Sequence, residues 1–407
     1  MPLLKSLKNT FTNLLLVLFS ILVCFLLLEA GFRLAGYQPI YQTYSKSSML
    51  WQYDPLLGWS HIPDSEGEYI GPRPWPVEYD TKIQINSEGL RGPEITKKNG
   101  LRILVLGDSI TAGFEVPFKD TYSAQLQLLL NKKLDTPVQV INAGVRGYGT
   151  DQSFLYYKEK GKNLQADLVL FQHVSNDPLN NITLHRMRRP FGKPAFQLKP
   201  KEYGGELNLT AYPTPRYPIC SEFRLDQDFH VKRLDTALNR TLCQIQVNLT
   251  DYSAFFTYIT MLIRQHPDML KKLYFAASPK AAQASSATIS KAEQNKTPGK
   301  SGSAHKASIG DLLTTSIINK LDKTVKNNKA RFALLLSDDF QPEQVNKKWL
   351  QEKDVRIIAT TSIFPDRVFA PPYSFKNDSH WTKKGHRAYA EKIAPKVLSL
   401  LSEMGYH

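Results

Sequence analysis

Cysteine is scarce, with three in 407 residues. Neither Cys220 nor Cys243 has a close cysteine or histidine neighbour in the chain, which excludes a metal site of clustered thiolates. Acidic residues are also short, 37 against 52 lysines and arginines, and the formal net charge is +15. A basic stripe with interleaved aromatics is missing, because the lysines are scattered or lie in low-complexity sequence. That absence removes nucleic acid as an expected partner. The charge fits attraction to an anionic membrane surface or an acidic polymer instead. Ser109 lacks the Gly-x-Ser-x-Gly setting of one nucleophile elbow, since Thr111 stands at its last glycine position. No internal repeat is found, which excludes a repeat architecture.

The length suffices for a sizeable core in one large domain or two. An aromatic content of 11% argues against global disorder. Leu14 to Leu28 is a hydrophobic run broken only by Ser20. Extended over residues 11–32 it makes an anchor of about 20 residues, the length a bilayer needs. Lys5 and Lys8 precede it, so the positive-inside rule puts residues 1–10 in the cytoplasm and the rest of the chain in the periplasm or outside the cell. The rival is a signal peptide cleaved after Ala30. Leu28 is a poor match to the small residue such a site wants, and the apolar run is long for it. Cys24 reads as an apolar residue of the span. Cys220 and Cys243 would pair in an oxidising compartment.

Residues 37–100 are rich in Tyr, Trp, Pro and Gly and predict an irregular segment with short strands, packed on the domain that follows. Thr81 to Ile85 alternates like a strand, and Asn86 to Gly89 reads as a turn. From Leu101, strands at Arg102–Leu106, Val138–Ile141 and Asp167–Gln172 alternate with helices at Thr121–Lys132 and Asp151–Lys160. The pattern resumes with a helix at Ile309–Lys326, strands at Arg331–Leu336 and Val355–Ala359, and a helix at Lys383–Leu401. This predicts an α/β fold, three-layered α/β/α with a mainly parallel sheet, preceded by one transmembrane helix. Residues 101–184 and 308–407 would be two parts of one catalytic domain. An insertion or cap over 185–278, with a helix at Tyr252–Gln265, and a flexible linker over 279–307 would separate them.

Four short motifs carry candidate chemistry. Gly107-Asp108-Ser109 ends the first strand, where parallel sheets bind ligands, although alone it reads as a turn and helix cap. The second strand runs into Asn142-Ala-Gly-Val-Arg-Gly147, whose glycines let backbone N–H groups approach a ligand or simply make a tight turn. The third runs into His173-Val-Ser-Asn176-Asp177. Asn176 could aim an amide at a developing oxyanion or cap a helix, and His173 reads as a core histidine. Asp378-Ser-His380-Trp precedes the last helix. Two residues apart in extended chain, the carboxylate could orient the imidazole, while Asp378 or Thr382 could equally cap the helix.

In combination and order these motifs resemble the SGNH (GDSL-type) hydrolase superfamily. Family sequences show Gly-Asp-Ser after the first strand, a glycine after the second, Gly-x-Asn-Asp after the third, and Asp-x-x-His or Asp-x-His near the C-terminus. Asp54-Pro-Leu-Leu-Gly-Trp59 and Ile85-Asn-Ser-Glu-Gly-Leu-Arg-Gly92 look like the segment that precedes the catalytic domain in membrane-anchored bacterial members. Two departures stand out. Val174 occupies the usual glycine place of the third block, and Asn377 occupies the acid place of the Asp-x-x-His form, so Asp378 has to be the acid. The Asp-x-His-Trp string is also similar to a motif of alginate-type O-acetyltransferases, which carry it before the serine.

The resemblance implies a Ser109, His380 and Asp378 triad working through an acyl-enzyme. Its oxyanion hole would be the N–H groups of Ser109 and Gly147 with the Asn176 amide. No cofactor or metal is needed. The expected substrate bears ester or O-acyl groups, with envelope polysaccharide as a candidate. O-acyl transfer to a sugar hydroxyl through the same triad, or a catalytically dead polysaccharide-binding protein, are the alternatives. Sequons such as Asn208-Leu-Thr and Asn248-Leu-Thr would matter only in a host that glycosylates them.

Overall fold

The structure is a computed structural model that describes residues 2–37, 39, 50–72, 77–185, 191–218, 220–265, 308–365 and 369–407. The expected linker at 279–307 lies outside the described residues. Two compact units are distinguished, one comprising residues 1–43, 73–76 and 246–306, the other residues 44–72, 77–245 and 307–407. The first unit begins with α1 (Pro2–Leu34). Its stretch Thr10–Leu34 has a mean hydropathy of 2.7 and no buried residues, and it is long and apolar enough to cross a membrane.

The second unit opens with two antiparallel hairpins, β1 (Trp51–Asp54) with β2 (Gly58–His61), and β3 (Glu66–Gly71) with β4 (Tyr79–Gln84). The turn expected at Asn86–Gly89 closes through Gly89 N–H donating to Asn86 O. The central strands follow: β5 (Leu101–Gly107), then α2 (Ser109–Ala112) and α3 (Tyr122–Asn131); β6 (Val138–Gly144), then α4 (Thr150–Glu159); β7 (Leu168–Gln172), then α5 (Asp177–Ile182). Short strands β8 (Thr183–His185), β9 (Ala195–Lys199), β10 (Glu206–Thr210), β11 (Phe223–Leu225) and β12 (Val231–Arg233) lead to α6 (Ala237–Tyr252) and α7 (Ala254–Gln265). The sheet is completed after α8 (Ile309–Asn327) by β13 (Arg331–Ser337), α9 (Lys347–Glu352), β14 (Ile357–Thr360) and α10 (Lys383–Glu403).

The expected α/β fold is borne out. Five strands in the order β14-β13-β7-β5-β6 pair in parallel throughout. β5 is buried along its whole length, and its side chains divide by the two-residue period of a strand. Ile103 and Val105 join a core with Tyr122, Leu126, Tyr389 and Ile393, on the face covered by α3 and α10. Leu104 and Leu106 join a second core with Phe154, Leu313 and Ile317, on the face covered by α4 and α8. The chain moves outward in opposite directions from β5, to β6 on one side and β7 on the other. That reversal makes a crevice at the carboxyl ends of these strands, where open α/β sheets bind ligands.

Some boundaries differ from the sequence pattern. β6 continues to Gly144 because Asn142 and Ala143 stay paired with Val105 and Leu106. β14 starts later than expected, because Val355 N–H still closes the end of α9 on Leu350 O. Helix α6 was not foreseen within the insertion, and its Cys243 is joined to Cys220 with a Cα–Cα distance of 5.8 Å. Residues Phe196, Leu198, Leu225 and Phe229 of the same insertion are buried in the core beneath β5 and β7.

In the first unit, α7 starts against α1. Phe25 faces Phe256 with centroids 5.5 Å apart, and Phe32 faces Tyr258 at 5.0 Å. Glu29 accepts hydrogen bonds from Ser253 Oγ at 2.7 Å, Ala254 N at 3.0 Å and Phe255 N at 3.1 Å.

Candidate active site

The crevice is framed by the loops after β5, β6 and β7 and by the loop before α10. After β5, the Asp108 carboxylate caps α2 by accepting from Ile110 N at 2.9 Å. Ser109 therefore sits in the first residue of a short helix, half-buried, and its N–H meets no acceptor among the described residues. Asn142 Nδ2 donates to Thr111 O at 2.7 Å and ties this turn to the end of β6. The contact requires Gly144, where a Cβ would fall 2.4 Å from the Ala112 backbone nitrogen.

Beyond β6 the chain turns tightly, with Tyr148 N–H donating to Val145 O at 3.1 Å. Gly147 takes φ +80° there, a conformation that side chains with a Cβ avoid. Its N–H also meets no acceptor among the described residues. After β7, Asn176 precedes α5 with its amide exposed and makes no side-chain capping bond. His173 is fully buried, as a core histidine, with Nδ1 3.1 Å from Asp177 Oδ2. The same Asp177 oxygen accepts from Val174 N at 3.1 Å, so the valine at the unusual position is held from within the loop.

On the fourth loop, Thr382 caps α10 by accepting from Gly385 N at 3.3 Å. Asp378 is thereby left for the imidazole. Its Oδ1 lies 2.5 Å from His380 Nδ1 and accepts from His380 N at 3.1 Å, while its Oδ2 accepts from Tyr79 OH at 2.8 Å. Burial alone would raise the Asp378 pKa, but the donors from His380 and Tyr79 outweigh it and hold the carboxyl well below the usual range. Burial likewise disfavours the His380 imidazolium and Arg146 repels it. The carboxylates of Glu115 and Asp378 outweigh both, and the pKa lies above the ordinary histidine value. Asn377 is not wasted: its backbone N–H and its Nδ2 donate to Glu78 Oε1 at 3.0 and 2.6 Å, fastening the loop to the strand that carries Tyr79.

The structure joins Asp378 to His380 directly, whereas no hydrogen bond joins His380 to Ser109. The serine Oγ donates to Asp108 Oδ2 at 3.3 Å. The Asp108 carboxyl is raised by burial first and then by Asp177, with the Ile110 N–H and the charges of His380 and Arg146 in opposition, so the imidazole's charge is felt at the residue beside the serine.

Four groups escaped the sequence reading. Tyr79 and Glu78 reach the Asp378 loop across some 300 residues of chain, and nothing local marks them. Buried Arg91 donates to the carbonyls of Ala112, Gly113 and Val116 and so braces the loop behind Ser109. Glu115 lies in that loop, paired with Arg146, and an acid between Phe114 and Val116 was a signal that could have been read. Glu115, Asp378 and His380 offer ligand atoms within 4.8 Å of one another, as a cation site would, but Arg146 already supplies positive charge there.

Residues 105–241 match the GDSL-like lipase/acylhydrolase family. No curated protein matches the chain. Among solved structures, a protein of the lipolytic G-D-S-L family from Desulfitobacterium hafniense aligns over 72% of this chain and 98% of its own, with 9% identity and a TM-score of 0.34. A lipase from a goat rumen metagenome aligns over 72% of this chain and 95% of its own, with 13% identity and a TM-score of 0.32. A carbohydrate esterase aligns over 76% of this chain and 68% of its own, with 10% identity and a TM-score of 0.30.

Proposed function

We propose, from the premise that the chain carries a GDSL-like domain of ester-bond hydrolases, that it is a membrane-anchored serine esterase acting through Ser109, His380 and Asp378. The observation that carries this reading is the 2.5 Å contact of Asp378 with His380 Nδ1, close enough to the turn of Ser109 for the imidazole's charge to act on Asp108. That contact leaves Nε2 as the nitrogen able to take a proton from serine.

In this mechanism Nε2 accepts the Ser109 hydroxyl proton as Oγ attacks the ester carbonyl carbon. The carbonyl oxygen gains the negative charge, which the N–H groups of Ser109 and Gly147 and the Asn176 amide receive. Each such donor lowers the barrier by about 3 kcal/mol. The imidazolium returns its proton to the leaving alcohol as the ester C–O bond breaks. Water then attacks the acyl-serine, giving its proton to Nε2, and the carboxylic acid departs as Oγ recovers the proton. Asp378 holds the tautomer and stabilises the imidazolium at each stage.

The reading extends to location and substrate. Residues 11–32 would anchor the chain, with residues 1–10 cytoplasmic and the catalytic domain periplasmic or extracellular. An excess of 15 positive charges favours an acidic, O-acylated envelope polysaccharide as the substrate class.

The test is covalent labelling of the full chain in detergent micelles with a fluorophosphonate, alongside hydrolysis of p-nitrophenyl acetate. Labelling and turnover in the native protein, both lost in Ser109→Ala, are expected. A native protein that does neither is no serine esterase.

A further inference from the structure

One acid beside the imidazole has no part in the triad. The Glu115 side chain is 1% exposed, and its Oε1 stands 3.5 Å from His380 Nδ1. The same oxygen accepts a hydrogen bond from Arg146, while Oε2 is buried without a partner. A carboxylate in such a place is strongly disfavoured unless a counter-charge is fixed beside it. Arg146 is fixed. Its guanidinium lies 4.6 Å from the Tyr69 ring centroid, and its carbonyl accepts from Trp59 Nε1 at 3.2 Å. The next residue is Gly147.

The pair adds no net charge to the site, so its influence comes from direction. The carboxylate end is turned to the imidazole, and the guanidinium end lies on the Tyr69 ring while the Arg146 backbone forms part of the turn after β6. We propose that Glu115 and Arg146 form a positioning pair: Glu115 shares His380 Nδ1 with Asp378, and Arg146 ties that imidazole to the turn that presents the Gly147 N–H. The proposal rests on the esterase reading of Ser109, His380 and Asp378. It gives the base and the oxyanion donor one common support, although they lie on loops 233 residues apart in sequence (380 less 147).

A consequence concerns protonation. The charged and titratable groups that bear on His380 are Asp378 on its own loop, Glu115 and Asp108 after β5, Arg146 after β6, and His386 on α10. His386 is pushed down to about 3, by burial first and then by Arg91 and His380, so it stays neutral through the working range. Tyr79 is held neutral by burial and by its carboxylate neighbours. Glu115, Asp378 and Arg146 are then the charges that act most directly on the imidazole, against its burial. Removing the negative end of the pair should make His380 more acidic, and removing the positive end should make it more basic.

The experiment is an NMR titration of the His380 imidazole in the full chain, its resonance identified with His380→Asn, together with the pH profile of kcat/KM. Glu115→Gln should move the titration midpoint and the acid limb down by about 1 pH unit or more, and Arg146→Met should move both up by a similar amount. A merely structural role would not give shifts of opposite sign. If Arg146→Met does not fold, Arg146→Lys keeps the charge and loses the planar fork. Its midpoint should stay in place while kcat falls and KM holds, as the Gly147 turn loosens. Midpoints that stay at the native value in Glu115→Gln, in a protein that hydrolyses esters, reject the pair's role and leave the esterase reading intact. Absence of both turnover and fluorophosphonate labelling in the native protein rejects the esterase reading, and the proposal with it.

Discussion

Replacing Asp378 with asparagine removes a charge while keeping the shape of the side chain. Its outcome depends on which way the new amide turns. In the native loop Oδ1 receives two N–H groups, from His380 N at 3.1 Å and from His380 Nδ1 at 2.5 Å. Oδ2 faces the Tyr79 hydroxyl at 2.8 Å, which can accept as well as donate. The asparagine carbonyl should therefore take the Oδ1 place and its NH2 should face Tyr79. The tautomer of His380 survives, and what is lost is the charge's share of one hydrogen bond, about 1–1.5 kcal/mol as the difference between a charged and a neutral bond. At 1.36 kcal/mol per tenfold, kcat/KM should fall by about 5- to 13-fold. Glu115 at 3.5 Å would still stabilise the imidazolium. A triad acid replaced so that the wrong tautomer is enforced costs about 10⁴-fold instead. The assay is p-nitrophenyl acetate hydrolysis at pH 8. A loss near 10⁴ would refute the predicted orientation of the amide. A loss under about threefold, well below the value of one charge-assisted bond, would refute Asp378 as the support of His380.

The pH profile follows from the same loop. A base must be neutral in the free enzyme, so kcat/KM should fall as pH drops through the His380 pKa. Because that pKa is raised, the acid limb should lie above the ordinary histidine value of about 6.5; a midpoint clearly below 6.5 would contradict the carboxylate environment. Arg91→Met strips the buried carbonyls of Ala112, Gly113 and Val116 of their donor. Gly113 O keeps the Val116 N–H at 3.2 Å, so the carbonyls of Ala112 and Val116 are orphaned at about 1–3 kcal/mol each, and stability should drop by about 2 kcal/mol or more, read as a lower urea midpoint at unchanged slope.

The central sheet was legible because its strands are short apolar runs between helical patterns, and each run is buried on both faces. The carboxyl-end loops were legible because glycine, asparagine and aspartate cluster there for stereochemical reasons. Tyr79 and Glu78 were not. Their partners lie 298 or 299 positions away, and strand alternation says only that Tyr79 faces inward, not what it meets. Helix α6 escaped for another reason. The prolines that mark the insertion end at Pro218, and the amphipathic run beyond it was read together with them. Asn377 shows the reverse case. It seemed a defect in an acid position, and it is the donor that docks the acid's loop on Glu78.

Glu29 bears on how the chain could be processed. Its carboxylate is the N-terminal cap of α7, and Phe25 is the surface against which Phe255 and Phe256 lie. A cut after Ala30 would carry both away, leaving the Ala254 and Phe255 N–H groups without the carboxylate and Phe256 without its ring partner Phe25, while Phe32 would still face Phe255. Loss of such a cap alone costs about 1 kcal/mol. The N-terminal helix is thus a packing partner of α7 as well as a helix long and apolar enough to cross a membrane. A form that lacks it would show newly exposed apolar surface on α7, so trimming of the N-terminal helix and good solubility would pull against each other.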